Sequence, residues 1–299
     1  MKNLSVFYDH ILEAERQTRE KGAEVPVPQI LKRCAEWGIS AVEINSATLA
    51  ESADSVLPML ADEGLAISGI CHKHDFVKFP GGTGGSAGSY ASLEEEAQAV
   101  MEMAHKAGSI TVLIVAGFLC EEDAREINAR HWSYAETAEW MERSDAIRRV
   151  QKGLETFCRA AEPYGIRIVV EDFDNWTSPT AILYENLWFM KNVPGLHFAL
   201  DTGNFAYSSE DVLKAYEVLL PYISHIHCKD RAVNASAPDT DLRKYIAACA
   251  VGEGYIPIRA IVDKEKARAY DDFYVIEHYG LQDQLEGIRR SAEYMRSIL

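Results

Sequence analysis

The chain has 299 residues, 47% hydrophobic and 25% charged, with a formal net charge of -16 at pH 7. That composition builds an ordinary globular core. The acidic excess argues against a nucleic-acid backbone or an anionic membrane as the main partner, because both are gripped by clustered Lys and Arg. A metal cation or a small neutral substrate suits such a surface better. Six cysteines, Cys34, Cys71, Cys120, Cys158, Cys228 and Cys249, form no C-x-x-C pair, so neither a zinc knuckle nor a disulfide framework is indicated. The run Met1 to Tyr8 stops at Asp9-His10, too short for a signal peptide. No segment approaches the roughly 20 apolar residues of a membrane span, and the cytoplasm is the expected compartment.

In chain order, Leu4 to Tyr8 reads as a strand, Val27 to Trp37 as a helix stopped by Gly38, Ser40 to Asn45 as strand two and Ser55 to Glu63 as a helix. Strand three, Leu65 to Ile70, empties into Cys71-His72-Lys73-His74-Asp75. A Gly-rich loop at 80–90 follows, then a helix opened by the capping-box pair Ser92 and Glu95. Ile110 to Ala116 is strand four, and a long connection at 117–145 carries His131. A helix runs from Ser144 through Tyr164. Strand five is Arg167 to Val170, strand six His197 to Leu200 and strand seven Ile223 to Ile226, with helices at Thr180 to Met190 and Ser209 to Leu220 between them. Asp241 to Ile261 reads as helical with a break at Gly252-Glu253-Gly254. Strand eight is Phe273 to Ile276, and Gln282 to Ile298 is the last helix.

Parallel strands joined by helical crossovers make either a doubly wound sheet or a closed barrel. Eight equivalent units favour a single-domain α/β fold, a (β/α)8 TIM barrel, as do polar residues at the ends of many strands rather than at one switch point. No G-x-G-x-x-G follows strand one, and no Gly-Lys-Ser/Thr follows the Gly-rich loop, so dinucleotide and P-loop readings are set aside.

Four successive strands release Glu171, Asp201, His227 and Glu277 at the same relative place. An oxygen-rich set with one imidazole suits one divalent metal ion, Mn²⁺ or Mg²⁺ first, with Co²⁺, Fe²⁺ and Zn²⁺ also compatible. A lone carboxylate after a strand is as often a helix cap; four on four successive strands point to a shared ion. Of His225 and His227, one is expected to point into the barrel and the other toward the helices. His227, nearer the C-terminal end, is assigned to the metal.

These motifs, Val170-Glu171-Asp172, Leu200-Asp201-Thr202-Gly203-Asn204, His225-Ile226-His227-Cys228-Lys229-Asp230, Val251-Gly252-Glu253-Gly254 and Ile276-Glu277-His278, resemble those of the xylose isomerase-like barrel superfamily, the sugar phosphate isomerase/epimerase group. That group includes ketose 3-epimerases, inosose dehydratase and isomerase, hydroxypyruvate isomerase and apurinic endonucleases of the endonuclease IV type. The resemblance implies a TIM barrel with one divalent ion on Glu171, Asp201, His227 and Glu277. It also implies that Glu171 and Glu277 are the acid/base pair on the two faces of the substrate. Several members carry a substrate-contacting histidine where this chain has Asn204.

The chemistry expected of such a set is proton movement beside a keto or hydroxy group of a small carbohydrate, through an enediolate, giving epimerisation or isomerisation. Loss of a β-hydroxyl or aglycone, as in an inosose dehydratase or a C-glycoside deglycosylase, is the alternative, and His131 would then be an extra acid/base. A DNA-repair endonuclease fits poorly with the acidic charge. Substrate contacts are expected from His10, Glu43, His72, His74, Trp176, Asn204, Lys229 and Arg231. Asp230, between Lys229 and Arg231, is expected to neutralise that pair. A homo-oligomer is compatible with the superfamily, whose exposed barrel helices often pair.

Overall fold

The strands of the computed structural model are β1 (Leu4–Phe7), β2 (Ala41–Asn45), β3 (Ala66–Lys73), β4 (Thr111–Val115), β5 (Arg167–Glu171), β6 (Leu196–Asp201), β7 (Ile223–Cys228), β8 (Arg231–Val233), β9 (Ile246–Ala248) and β10 (Tyr274–Ile276). The structure describes residues 3–79, 90–128, 133–238 and 242–299. Residues 80–89, which hold nearly all of the Gly-rich loop, lie outside them, and so does His131. Eight strands close into a parallel barrel in the order β1-β10-β7-β6-β5-β4-β3-β2, as the regular strand and helix rhythm implied. The helices around it are α1 (Tyr8–Glu20), α2 (Val27–Glu36), α3 (Ser46–Asp62), α4 (Leu93–Lys106), α5 (Glu121–Asn128), α6 (Tyr134–Arg143), α7 (Asp145–Ala161), α8 (Leu183–Asn192), α9 (Val212–Leu219), α10 (Leu242–Tyr245), α11 (Ile258–Ala267) and α12 (Gln284–Ile298). No helix among the described residues is long and apolar enough to cross a membrane.

Alternation along the strands sorts the side chains into two cores. Phe7, Cys71, Leu113, Val115, Val169, Ala199 and Val275 fill the barrel interior. The residues between them, among them Val6, Ile44, Ile70, Val112, Ile168, Val170, Leu200, Ile226 and Ile276, join the helices in a larger outer core. This sorting positions the site. Glu171 lies two residues beyond Val169, Asp201 two beyond Ala199 and Glu277 two beyond Val275, so each carboxylate inherits the inward face of its strand.

Beyond shifted helix ends, of which the largest is α3, starting at Ser46 rather than Ser55, three parts of the fold depart from the sequence reading. Helix α1 begins directly after β1 and takes in Tyr8, where the sequence reading ended a strand at Tyr8 and named no element before Val27; its buried stripe is Tyr8, His10, Ile11, Ala14 and Gln17, a face with too few aliphatic residues to register as apolar periodicity. Strand β3 continues through Lys73, so Cys71 to Lys73 belong to the strand rather than to its exit.

The third departure is larger. The stretch from Asp241 to Ile261 is not one broken helix: α10 is a single turn, β9 pairs antiparallel with β8 (Arg231 opposite Ala248), and α11 starts only at Ile258. Asp230 enforces this. Its carboxylate accepts the backbone N–H groups of Arg231 (2.8 Å), Gly252 (2.9 Å), Gly254 (2.9 Å) and Ile256 (3.1 Å). Gly254 is required because a Cβ there would lie 2.2 Å from both Arg231 O and Asp230 Oδ1.

Candidate functional site

Glu171, Asp201, His227 and Glu277 each offer a donor atom, and the four atoms lie within 4.8 Å of one another at the C-terminal end of the barrel. Two ligands on opposite sides of one ion, at bonds of roughly 2.0–2.5 Å, are about 4–5 Å apart, so the cluster has the span of a single cation. Asp201 and His227 are wholly buried, whereas Glu171 and Glu277 are 8% and 5% exposed. Of the four, only the two glutamates keep any exposure.

Each donor is held by its neighbours. Asp201 Oδ1 accepts the N–H groups of Gly203 (2.8 Å) and Asn204 (3.0 Å), which turns Oδ2 toward the cluster, and Asp172 Oδ1 accepts Asp201 N–H at 2.9 Å. Thr202 Oγ1 bridges the two strand ends, donating to Lys229 O (2.8 Å) and accepting Lys229 N–H (2.9 Å). His227 Nδ1 stands 3.0 Å from both Glu171 Oε2 and Glu277 Oε2. The Lys229 ammonium contacts Asp201 Oδ2 (2.7 Å), Glu277 Oε1 and Asn204 Oδ1 (3.0 Å). Lys229 thus touches two of the three carboxylates of the cluster, and the third, Glu171, lies against His227. Asp201 Oδ2 and Glu277 Oε2 are buried without an aligned hydrogen bond, as donors awaiting an ion would be.

The electrostatics separate the glutamates. Burial pushes Glu171 up to about 7 against the pull of His227. Burial acts on Glu277 in the same direction, yet the Lys229 ammonium and the His227 ring outweigh it and hold the carboxyl below the usual range. Burial raises Asp201 in spite of Lys229, and raises Asp172 well above the ordinary aspartate range with the Asp201 charge adding to it. Lys229 is buried as well, which would lower it, but Asp201 and Glu277 keep it charged.

The other expected contact residues divide. Lys229 and Asn204 belong to the cluster, and Arg231 reaches it by donating to Asn204 Oδ1 (3.0 Å) and Gly203 O (3.2 Å) while lying over the Tyr207 ring. Asn204 Nδ2 donates to Asp172 O at 2.8 Å, so its amide organises the two cations. His10, on α1, is buried, and its Nε2 accepts the N–H of His278, the residue after Glu277. Trp176 sits half-buried in the loop after β5, against the outer core.

His72 and His74 are not brought to the mouth. His72 points outward from β3 and, with His74, clasps Glu96 of α4 at 2.9–3.0 Å, while Ser46 and Phe79 O take their other nitrogens. Phe79 O only accepts, so His74 Nε2 carries a proton and Nδ1 presents a second to Glu96: a staple between sheet and helix, with Glu96 held near 2 despite its burial. Glu43 is also displaced from its expected role. It is fully buried in the barrel, 2.7 Å from His225 Nε2 and 3.3 Å from His227 Nε2. Both histidines face inward, because residues two apart on a strand share a face; the expectation that they diverge is corrected. Asp230 does not neutralise Lys229 and Arg231 but gathers backbone N–H groups. Asp172 and Thr202 were not among the expected contacts, and His225, expected to point away from His227, lies beside it as the two-residue period of a strand requires.

A sequence profile of the xylose isomerase-like TIM barrel family matches residues 31–298. The chain belongs to this family. No curated protein matches this xylose isomerase-like barrel in sequence. Among solved structures it is similar to a probable 3-DHS dehydratase of Bacillus anthracis (18% identity, 98% of each chain covered, TM-score 0.64). It is also similar to the D-psicose 3-epimerase of Clostridium cellulolyticum (13% identity, 100% of this chain and 99% of that one, TM-score 0.65). A third, a xylose isomerase-like barrel of Mycobacterium smegmatis in complex with magnesium, is 20% identical over 90% of this chain and 86% of its own, with a TM-score of 0.59. At these identities the likeness is one of fold.

Proposed function

We propose that the protein is a divalent-metal-dependent isomerase or epimerase of a small keto or hydroxy sugar, with Glu171 and Glu277 moving the proton. The convergence of four donors from four successive strands, with the two glutamates alone keeping any exposure, carries this reading. Glu171, Asp201, His227 and Glu277 would hold the ion, Mn²⁺ or Mg²⁺ by the hardness of the set. When bound, it supplies Lewis-acid polarisation of a substrate carbonyl. Glu277, kept ionised beside Lys229, would accept a proton from the carbon next to that carbonyl, and Glu171 would return one. Lys229, held by Asn204 Oδ1, would supply the positive charge for a developing oxyanion.

Dehydration of a keto substrate uses the same first proton removal, and similarity to a probable dehydratase keeps that reading beside the first. A panel of ketoses, inososes and keto-glycosides incubated with Mn²⁺-loaded protein in D₂O separates the two. Deuterium gained at one carbon without loss of mass supports isomerase or epimerase chemistry, and loss of water or aglycone refutes it. Glu277→Gln is expected to abolish the exchange; undiminished exchange removes Glu277 from the mechanism.

A further inference from the structure

We infer that Glu43 and His225 are positioning residues for His227: the Glu43 carboxylate accepts the His227 Nε2 proton and thereby fixes the ring in the tautomer that frees Nδ1 for a cation. This rests on the metal reading above and adds to it a layer beneath the four donors, built from β2 and β7.

The ring has two different ends. Nδ1 faces the mouth, 3.0 Å from Glu171 and from Glu277, and Nε2 faces down the barrel, 3.3 Å from Glu43 Oε2, an ion-pair contact that is not aligned as a hydrogen bond without a cation on Nδ1. A neutral imidazole carries one proton, so a cation that takes the lone pair on Nδ1 obliges that proton to reside on Nε2. Glu43 is the carboxylate waiting there. His225 grips the same Oε2 at 2.7 Å, which holds the carboxylate in place and supplies a hydrogen bond to its charge. Glu43 Oε1 carries no hydrogen bond, so the group has acceptor capacity for both rings. All three side chains are fully buried, where an ion paired with nothing would be costly.

The surroundings are shaped around this arrangement. Gly69 of β3 is the register partner of Glu43, and a Cβ at that position would lie 3.0 Å from Glu43 Oε2 and 3.1 Å from its Cδ. Phe7 meets the His227 ring edge-on at 5.1 Å, and His225 meets it edge-on at 5.2 Å, so the ring plane is set from two sides. A carboxylate behind a liganding histidine orients the ring and raises its basicity, and loss of such a partner typically weakens metal binding by about 10–100-fold.

The test uses the full chain, Mn²⁺ affinity by competition with a fluorescent chelator, and ¹⁵N-histidine NMR of the Zn²⁺-loaded protein. Glu43→Ala is expected to weaken Mn²⁺ binding by about 10–100-fold, and Glu43→Gln, whose amide oxygen still accepts the Nε2 proton, to restore most of that loss. In wild type the cation-bound ring is expected to be protonated on Nε2. Unchanged affinity in Glu43→Ala, no rescue by Glu43→Gln, or a ring protonated on Nδ1 with the metal on Nε2 would each overturn the inference. Should Glu43→Ala not fold, the wild-type spectrum decides by itself. Asp201→Asn separates the two levels: if wild type binds Mn²⁺ no better than Asp201→Asn, the metal reading fails, whereas tight wild-type binding that Glu43→Ala leaves intact sinks only the role of Glu43.

Discussion

Replacing Asp230 by Asn tests whether one buried carboxylate organises the segment between β7 and α11. Asp230 is 2% exposed and accepts four backbone N–H groups, two on each oxygen. In Asp230→Asn the amide keeps one carbonyl oxygen, which can serve Arg231 and Ile256 N–H, but turns an NH₂ toward the N–H groups of Gly252 and Gly254. Two donors then lose their acceptor, at about 1–3 kcal/mol each. The expected total is about 2–6 kcal/mol; at roughly 2–4 °C per kcal/mol for a domain of this size class, the fall in melting temperature is at least about 4 °C. The loss is local before it is global, so hydrogen exchange at Gly252 and Gly254 should speed up far more than at the barrel strands. An unchanged melting temperature together with unchanged exchange at those two amides would refute the reasoning. The reading of Asp230 as a mere counter-ion to Lys229 and Arg231 predicts that outcome at the glycines.

Glu185, on α8, is buried with Oε1 lacking a partner, and burial pushes its carboxyl up to about 8. The folded state therefore binds its proton more tightly than the unfolded one; the stabilisation is complete below the ordinary value near 4.5 and is lost as pH rises through 8. Denaturation at pH 5 and pH 9 should show wild type losing on the order of a few kcal/mol more than Glu185→Gln, and equal slopes would count against it. Gly153 of α7 leaves room for the Phe76 ring, 2.3 Å from where a Cβ would stand. Gly153→Ala should cost about 1–3 kcal/mol by overpacking, seen as a lower denaturation midpoint; an unshifted midpoint would mean that the ring moves freely aside. Removing metal with a chelator should lower the melting temperature, and returning Mn²⁺ should restore it in proportion to the logarithm of its concentration. A melting temperature indifferent to both would argue against a bound cation.

The barrel and its four converging donors were legible in the chain because both follow from local rules. Apolar runs ending on Glu171, Asp201, His227 and Glu277 repeat with the strand and helix rhythm, and a period of two sends each side chain to a definite face. What the sequence alone could not decide was which face meets the mouth and which meets a helix. His72 looked like a site residue until α4 brought Glu96 against it, and Glu43 looked like a substrate contact until barrel closure set it under His227, more than 180 positions away in the chain. The hairpin β8 and β9 was hidden for the same reason: its backbone answers to Asp230, a partner fixed by tertiary contact rather than by any periodicity of its own. Alternation along one strand is written in neighbouring residues, whereas the partner of a buried charge is chosen by the closing of the whole barrel.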